Sequence, residues 1–189
     1  MFVASFFTLY IGKEGKTMRQ KKELAVYELL ESLNIEYKRV DHEEANTMEA
    51  CQEIDKKLGV FMCKNLFLCN RQKTEFYLLL MPGDKPFKTK DLSAQIGSAR
   101  LSFADAEYME KYLNILPGAV SVMGLMNDVD NNVKLLVDRA VAESEYIGCH
   151  PCVNTSSLKI LTKDIMDKFL KEVHHEATIV DLPYYENML

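Results

Sequence analysis

The sequence predicts a single α+β domain built on a mixed, largely antiparallel sheet. Segments with helical periodicity and apolar, strand-like runs follow one another irregularly, whereas a parallel α/β fold alternates them. The chain has 189 residues, of which 48% are hydrophobic and 27% charged, and this composition suffices for one globular core. The sequence contains no internal repeat, low-complexity segment or linker that would divide it into separate domains.

The first half of the chain is predicted to contain two helices and a β-hairpin. Apolar residues recur at helical spacing from Glu23, which predicts an amphipathic helix ending near Asn34, before the short strand IEYKRVD. Asn46 and Glu49 have the spacing of a capping box for a second helix, and Gly59 is expected to end it. The apolar runs VFMCKNLFLCN and EFYLLLM, separated by the polar RQKT, predict the hairpin.

The second half of the chain is predicted to mix short helices with further strands. KTKDLSAQIG should form a helix closed by Gly97, and Ser102 with Asp105 should cap the helix ADAEYMEKYL. The runs AVSVMGL, VKLLVDRAV and SLKIL are predicted strands. Thr162 is the predicted cap of the last helix, KDIMDKFLKEV, and ATIVDLP is the predicted final strand.

Charge and cysteine content narrow the possible functions. The net charge of −5 argues against coating of nucleic acid by bulk electrostatics, but Lys85, Lys88, Lys90 and Arg100 lie close enough in sequence to form a local basic patch. Five cysteines form no dense, even pattern of a secreted disulfide scaffold. A reducing cytoplasm is therefore the expected setting.

The N-terminal segment MFVASFFTLYIG does not have the features of a signal peptide. It lacks a basic region before its apolar run and a small-residue cleavage site after it, and it is too short to span a membrane. A second methionine follows at Met18. We hypothesise that translation starts there, so that residues 1–17 are an extension outside the native fold and residues 18–189 form the domain. No membrane association is expected.

The segment YIGCHPCVNTS carries the clearest candidate chemistry. Cys149 and Cys152 have the spacing of a redox dithiol or of half a zinc site. Redox motifs of this kind usually begin a helix, whereas this one follows a strand, and the chain offers no second cysteine pair for zinc. His150 could be a general base or a loop histidine satisfied by the backbone.

Three further residues stand out by position. Lys64 lies within the apolar run VFMCKNLFLC, where it either faces solvent on an alternating strand or points into a cleft with a partner. Gly118 and Gly124 bracket AVSVM, and each is either a turn or bulge residue or a place where a ligand approaches the backbone.

Taken in order, these segments resemble the YbaK/prolyl-tRNA-synthetase-associated editing domains, and most closely the freestanding prolyl-tRNA editing branch. The likeness runs from about Glu23 to Pro183 through CKNLFLCN, YLLLMPGDK, SARLSFADAEYMEKYLNILPGAVSVMGL, VKLLVD, YIGCHPCVNTSSLKI and ATIVDLP. The resemblance implies a barrel-like sheet surrounded by helices. It also implies a hydrolase that removes wrongly attached amino acids from tRNA(Pro), above all from Ala-tRNA(Pro).

The resemblance also implies which residues form the site. Lys64 matches the family's active-site lysine, which would position the ester and offset charge developing on its carbonyl oxygen. Gly148 and His150 match the Gly-x-His-Pro loop that shapes the amino-acid pocket and approaches the aminoacyl group. The implied substrate-binding positions are Asn65, Ser121, Met123, Gly124, Cys149, Pro151, Asn154 and Thr155. Met123 and Cys149 differ from the residues common in the family, so the pocket is expected to differ in size.

The implied reaction uses water as the nucleophile, assisted by the 2′-hydroxyl of the terminal adenosine, with no cofactor and no metal. The implied partner is the acceptor end of tRNA(Pro), with prolyl-tRNA synthetase or an elongation factor as a further partner. One alternative is a protein that keeps the fold but only binds or senses aminoacyl-tRNA or an amino acid. Another is a thiol-disulfide enzyme that uses Cys149 and Cys152.

Overall fold

The structure is a computed structural model that describes residues 19–44 and 48–185. The predicted extension, residues 1–17, and the predicted capping residue Asn46 lie outside these ranges. In the described ranges the helices are α1 (Lys21–Ser32), α2 (Met48–Leu58), α3 (Thr89–Gln95), α4 (Ala106–Leu113), α5 (Arg139–Ala142), α6 (Thr162–Asp164) and α7 (Leu170–Glu172). A 3₁₀-helix covers Val122–Asn127, and a π-helical turn, Ile165–Phe169, joins α6 to α7.

Eight strands form two sheets in the part of the chain that the structure describes. They are β1 (Tyr37–Asp41), β2 (Lys64–Asn70), β3 (Phe76–Met81), β4 (Leu101–Phe103), β5 (Val133–Asp138), β6 (Tyr146–Cys149), β7 (Ser156–Leu161) and β8 (Ala177–Val180). The smaller sheet has the order β1-β7-β6 and is antiparallel. The larger has the order β4-β2-β3-β5-β8, in which β3-β5 and β5-β8 pair in parallel. The strands thus form two sheets and not one closed barrel-like sheet.

The predicted hairpin is confirmed, and it forms the centre of the larger sheet. Lys64 pairs with Met81 and Cys69 pairs with Phe76 in an antiparallel register. All six residues of β3 are buried because both faces of this strand are covered. A large core packs between this sheet, the smaller sheet and α1, and a second core, which includes Leu92 of α3, lies on the opposite face.

The backbones of the two sheets meet at a seam, which is defined by Met62, Cys63 and Gly148. Met62 and Gly148 form an isolated parallel bridge, and the Cys63 amide donates to the Gly148 carbonyl at 3.0 Å. A Cβ on Gly148 would lie 3.0 Å from the Met62 Cα, and one on Gly83 would lie 2.6 Å from the Met62 carbonyl oxygen. The Met62 backbone therefore passes between two glycines that leave no space for a side chain.

The segment AVSVMGL enters a 3₁₀-helix at Val122, so the prediction of a strand was wrong. Ser121 caps this helix by accepting a hydrogen bond from the Met123 amide at 3.2 Å. Val122, Met123 and Leu125 are all buried, and a run that is buried on every side has no periodicity to separate a helix from a strand. The signal in the sequence that could have predicted this helix was the serine at its N-cap, Ser121.

Three smaller boundary predictions were also wrong. VKLLVDRAV is a strand only as far as Asp138, because the Asp138 carboxylate accepts from the Ala140 amide at 3.0 Å and starts α5. Ser102 lies in β4, while Asp105 precedes α4 without a side-chain cap and binds Lys73 instead. Thr162 is the first residue of α6 and not its cap.

No helix in residues 19–44 and 48–185 combines the length and the apolar character needed to cross a bilayer.

Gly124 should be required for packing, and a double-mutant cycle with Ile115 measures this. An added Cβ would lie 2.5 Å from Ile115 Cδ1, so Gly124→Ala should lower the free energy of unfolding in urea by about 1 to 3 kcal/mol. Ile115→Val removes that methyl group and should recover part of the loss, with a coupling of at least about 0.5 kcal/mol. If the losses in unfolding free energy of the two single variants simply add in the double variant, this explanation is contradicted.

Candidate active site

The seam brings the two predicted catalytic segments together. Lys64 lies two residues after Met62, and His150 lies two residues after Gly148, the bridging pair. Because the bridge is parallel, both chains leave it in the same direction. Lys64 and His150 therefore begin at the same end of the seam, although they are separated by more than eighty residues in sequence.

Lys64 points at the turn that follows β3. Its Nζ donates to the carbonyl oxygen of Lys85 at 3.0 Å, and in the described ranges it forms no ion pair with a carboxylate. Lys85, in contrast, is buried, and its Nζ lies 2.9 Å from both carboxylate oxygens of Asp138. The hypothesis that Lys85 belongs to a basic patch is thus wrong, because the side chain is buried and paired with a carboxylate. The sequence did not show this pairing, since Asp138 lies far along the chain.

Asn65 carries a buried acceptor without a donor. Its Nδ2 donates to the Cys63 carbonyl at 3.0 Å, and this bond fixes the side-chain orientation because the reverse would place two oxygens together. Asn65 Oδ1 is buried, and no hydrogen-bond donor reaches it in the described part of the chain. A buried acceptor in this state costs free energy unless a ligand or water supplies an N–H or O–H group.

His150 is held as a neutral imidazole. The carbonyl oxygen of Ser156 lies 2.9 Å from Nδ1, so Nδ1 carries the hydrogen and Nε2 carries the lone pair. Burial lowers the pKa of His150 from its ordinary value of 6.5, and the neighbouring His42 lowers it further, against an opposing contribution from Ser156. Nε2 makes no hydrogen bond to any described residue.

His42 completes this arrangement, and sequence reasoning missed it. Its Nδ1 donates to the Glu43 carbonyl at 2.7 Å, so its Nε2 accepts from Ser157 Oγ at 2.8 Å. Ser157 Oγ also lies 3.4 Å from His150 Nδ1, and the two imidazole rings are 6.3 Å apart. In the sequence, His42 is only a polar residue directly after β1. Its contact with Ser157 depends on the register of β1 against β7, which the sequence does not show.

The other predicted positions divide into buried and accessible residues. Ser121, Met123 and Cys149 are completely buried, and the Ser121 hydroxyl oxygen accepts from the Met123 amide. Gly124 faces Ile115 of the core. The rest of the loop comprises the buried Pro151, the half-buried Asn154 and the exposed Thr155.

The cysteines of this region are protonated thiols. Burial raises the pKa of Cys63 to about 11 and of Cys152 to about 12, and it also raises the pKa of Cys149. Such thiols are poor nucleophiles at neutral pH. Among the described residues, no group of three His, Cys, Asp or Glu side chains could hold a metal ion. The geometry thus gives no support to a dithiol enzyme.

Known proteins resemble this chain over most of its length. Residues 42–168 match the sequence profile of the aminoacyl-tRNA editing domain. The chain is 31% identical over 147 residues to the prolyl-tRNA editing protein ProX of Acetoanaerobium sticklandii, covering 78% of this chain and 89% of ProX. It is 30% identical over 162 residues to prolyl-tRNA synthetase associated domain-containing protein 1 of Danio rerio, covering 85% and 86% of the two chains.

A solved structure, a candidate trans-editing enzyme for prolyl tRNA synthetase, has the same fold. It superposes with a TM-score of 0.64 at 13% identity, over 87% of this chain and 99% of that one. At this identity the likeness concerns the fold alone, and it confirms the predicted α+β class.

The profile match covers more than half of the chain, which therefore belongs to the aminoacyl-tRNA editing domain family. It is accordingly an enzyme of the hydrolase class, an aminoacyl-tRNA deacylase that cleaves the ester bond between an amino acid and tRNA.

Stability should depend on pH through His150. Because its pKa is lowered in the folded state, the unfolded chain binds the proton first as the pH falls below 6.5. The His150 contribution is therefore present above 6.5 and is lost as the pH falls towards the folded-state pKa. Between about pH 7.5 and about pH 5, the Tm of the wild type should fall further than that of His150→Asn.

The exposed His174 provides the matched control for this measurement. His174→Asn should keep the pH dependence of the wild type. Equal pH dependence of Tm in the wild type and in His150→Asn would show that the buried imidazole does not have the lowered pKa.

Proposed function

We propose that this chain is a trans-acting deacylase of mischarged tRNA(Pro), with Ala-tRNA(Pro) as its first substrate. The observation that carries the proposal is the parallel bridge at the seam, which starts the Lys64 and His150 segments from one point. The similarity to ProX, a prolyl-tRNA editing protein, supports the choice of tRNA.

The reaction is hydrolysis of an ester. Water adds to the carbonyl carbon, the bond from that carbon to the ribose oxygen breaks, and the ribose oxygen takes up a proton as the free amino acid leaves. Negative charge develops on the carbonyl oxygen, and the ammonium group of Lys64 stabilises it. Neutral His150 offers its Nε2 lone pair as an acceptor for the attacking water or for the ribose hydroxyl.

Asn65 is assigned to the α-ammonium group of the aminoacyl ester. Its orphaned Oδ1 needs a donor, and an ammonium group supplies N–H groups together with charge. An unpaired buried acceptor costs about 1 to 3 kcal/mol, so binding of this group removes a penalty that the free protein carries.

Met123 and Cys149 are assigned to the wall that sets substrate size. A synthetase pocket shaped for proline cannot strongly exclude alanine, since a missing methylene changes binding by only about 1 to 3 kcal/mol. A second site that is too small for proline can hydrolyse the error. Met123 and Cys149 are both fully buried, and the cap that Ser121 forms with the Met123 amide holds one side of this wall in place.

The proposed setting is the cytoplasm, and the proposed macromolecular partner is the acceptor end of tRNA(Pro). Prolyl-tRNA synthetase, or an elongation factor that carries aminoacyl-tRNA, is proposed as a second partner, because either would bring the substrate to a freestanding domain.

Lys64→Met should lower the kcat for Ala-tRNA(Pro) by about 100-fold, because loss of one group that stabilises the developing oxyanion has an effect of this size. Methionine keeps most of the apolar stem, so folding should be little affected, and a thermal melt checks this. Exposed Lys163→Met is the matched control and should retain full activity. Unchanged turnover by Lys64→Met would reject the role of Lys64. A wild type that binds aminoacyl-tRNA(Pro) and hydrolyses none would instead indicate a sensor.

Met123→Ala should relax the discrimination between Ala-tRNA(Pro) and Pro-tRNA(Pro). The ratio of their kcat/KM values should fall by about tenfold or more, because the deleted atoms give room for a larger side chain. Met126→Ala, in the same 3₁₀-helix but only partly buried, should leave the ratio unchanged. An unaltered ratio in Met123→Ala would remove Met123 from the pocket wall, whatever the variant's stability.

A further inference from the structure

Lysines from two strands converge on the carboxyl end of α2. Lys38 of β1 and Lys159 of β7 are directly opposed in the smaller sheet. Lys38 Nζ donates to the carbonyl of Lys57 and, at 3.2 Å, to that of Leu58. Lys159 Nζ donates to the carbonyl of Gly59 at 2.9 Å. Both ammonium groups thus occupy the place where a helix end carries partial negative charge.

Lys56 and Lys57, in the last turn of α2, add two more cations. We call Lys38, Lys56, Lys57 and Lys159 the α2 lysine cluster. In residues 19–44 and 48–185, none of the four has a carboxylate oxygen within 4.0 Å, whereas many other cations of the chain do. Glu53 and Asp55 lie in the same helix, and the Asp55 carboxylate accepts from the Met62 amide at 3.1 Å.

Lys159 Nζ also lies 4.1 Å from the centroid of the Tyr146 ring, but the contacts of the α2 lysine cluster do not neutralise its charge. Like charges on directly opposed residues of a sheet are destabilising, and Lys38 opposes Lys159. Carbonyl groups do not neutralise an ammonium group, and each lysine has three N–H donors, so charge and donors remain available. In a chain with a net charge of −5, the cluster is a local concentration of positive charge.

The α2 lysine cluster leads directly to the seam. Lys159 is opposed on one side by Lys38 and on the other by Gly148 of β6, so the three positions form one row across the sheet. Directly opposed residues lie on the same face, and neighbouring strands are about 4.8 Å apart. Lys38 therefore lies about 10 Å, or two strand spacings, from Gly148, the glycine that bridges Met62, and Lys159 lies between them.

Phe61 lies beside this row and is exposed. Its side chain is 82% accessible, and its carbonyl oxygen is 2.9 Å from the position of a Cβ on Gly148. A single exposed apolar residue is ordinary. An exposed aromatic ring beside cations that have no carboxylate partner, however, is the combination that proteins use for unpaired nucleotides, with bases stacked on the ring and phosphates near the cations.

We propose that Phe61 and the α2 lysine cluster form the surface that binds the acceptor end of tRNA. Phe61 stacks on a base of the unpaired 3′ end, and the lysines neutralise phosphates of the adjoining backbone. This surface rests on the proposed function, because it delivers the ester at the 3′ terminus to the seam where Lys64 and His150 begin.

The test measures binding of an uncharged minihelix that copies the tRNA(Pro) acceptor stem, with and without its unpaired 3′ tail. The variants are Lys38→Gln, Lys159→Gln and Phe61→Ala, and the matched controls are exposed Lys163→Gln and Val129→Ala, since Val129 is 83% accessible. Fluorescence anisotropy at several salt concentrations gives both Kd and its salt dependence.

Each lysine variant should weaken binding and reduce the slope of log Kd against log salt by about 1. Phe61→Ala should weaken binding of the tailed minihelix by about 5- to 150-fold, the range for loss of one stacked base, and should not change binding of the tailless one. Phe61→Tyr, which keeps an aromatic ring, should bind the tailed minihelix as the wild type does. Because Lys159 also contacts Gly59, thermal melts accompany the series, and Lys159→Arg should bind as the wild type does.

The proposal is overturned if the wild type does not bind the minihelix, or if all three variants bind it as tightly as the wild type does. An equal loss of binding in the control variants also overturns it. The assay needs no ester, so its outcome is independent of catalysis. A wild type that deacylates Ala-tRNA(Pro) while these variants bind normally overturns only the surface. A wild type that binds through these residues but hydrolyses no aminoacyl-tRNA overturns only the proposed function.

Discussion

The buried ion pair between Lys85 and Asp138 determines where Lys64 of the candidate site lies. The two side chains are 3% and 0% exposed, and buried charges of this kind must remain paired because neither can be solvated elsewhere. The pair joins the turn after β3 to the end of β5, and the same Asp138 carboxylate starts α5. The Lys85 carbonyl then receives the ammonium group of Lys64. Placement of Lys64 thus depends on a residue more than seventy positions away in the sequence.

The seam supplies the other half of the arrangement. Its hydrogen bond from Cys63 to Gly148 joins two sheets that otherwise belong to separate ladders, and it sets the Gly148–His150 loop beside the start of β2. On the far side of the loop, burial keeps the His150 imidazole neutral, and the hydrogen bond to the Ser156 carbonyl orients it. The contacts that position Lys64 and those that orient His150 therefore come from different sheets.

Sequence reasoning located the elements with strong local signals and failed where distant contacts decide. The hairpin of β2 and β3 followed from its two apolar runs, and α1 followed from its periodicity. The 3₁₀-helix at Val122 did not, because burial on all sides removes the periodic signal. The resemblance to a known family supplied the order of the site residues, but it could not show that Lys85 is buried or that His42 reaches Ser157. Both facts depend on strand register and on long-range pairing, which no local pattern encodes.

The confinement of Met62 between Gly83 and Gly148 has a mechanical consequence. A joint that is tightly packed on both sides acts as a fulcrum: rotation of one sheet against the other displaces atoms in proportion to their distance from it. Lys64 and His150 begin only two residues from this point, whereas β8 lies three strands away from β2 across the larger sheet. Rotation of one sheet against the other would therefore change the distance between the two segments least, and a candidate site at this point would keep its geometry without requiring the whole molecule to be rigid.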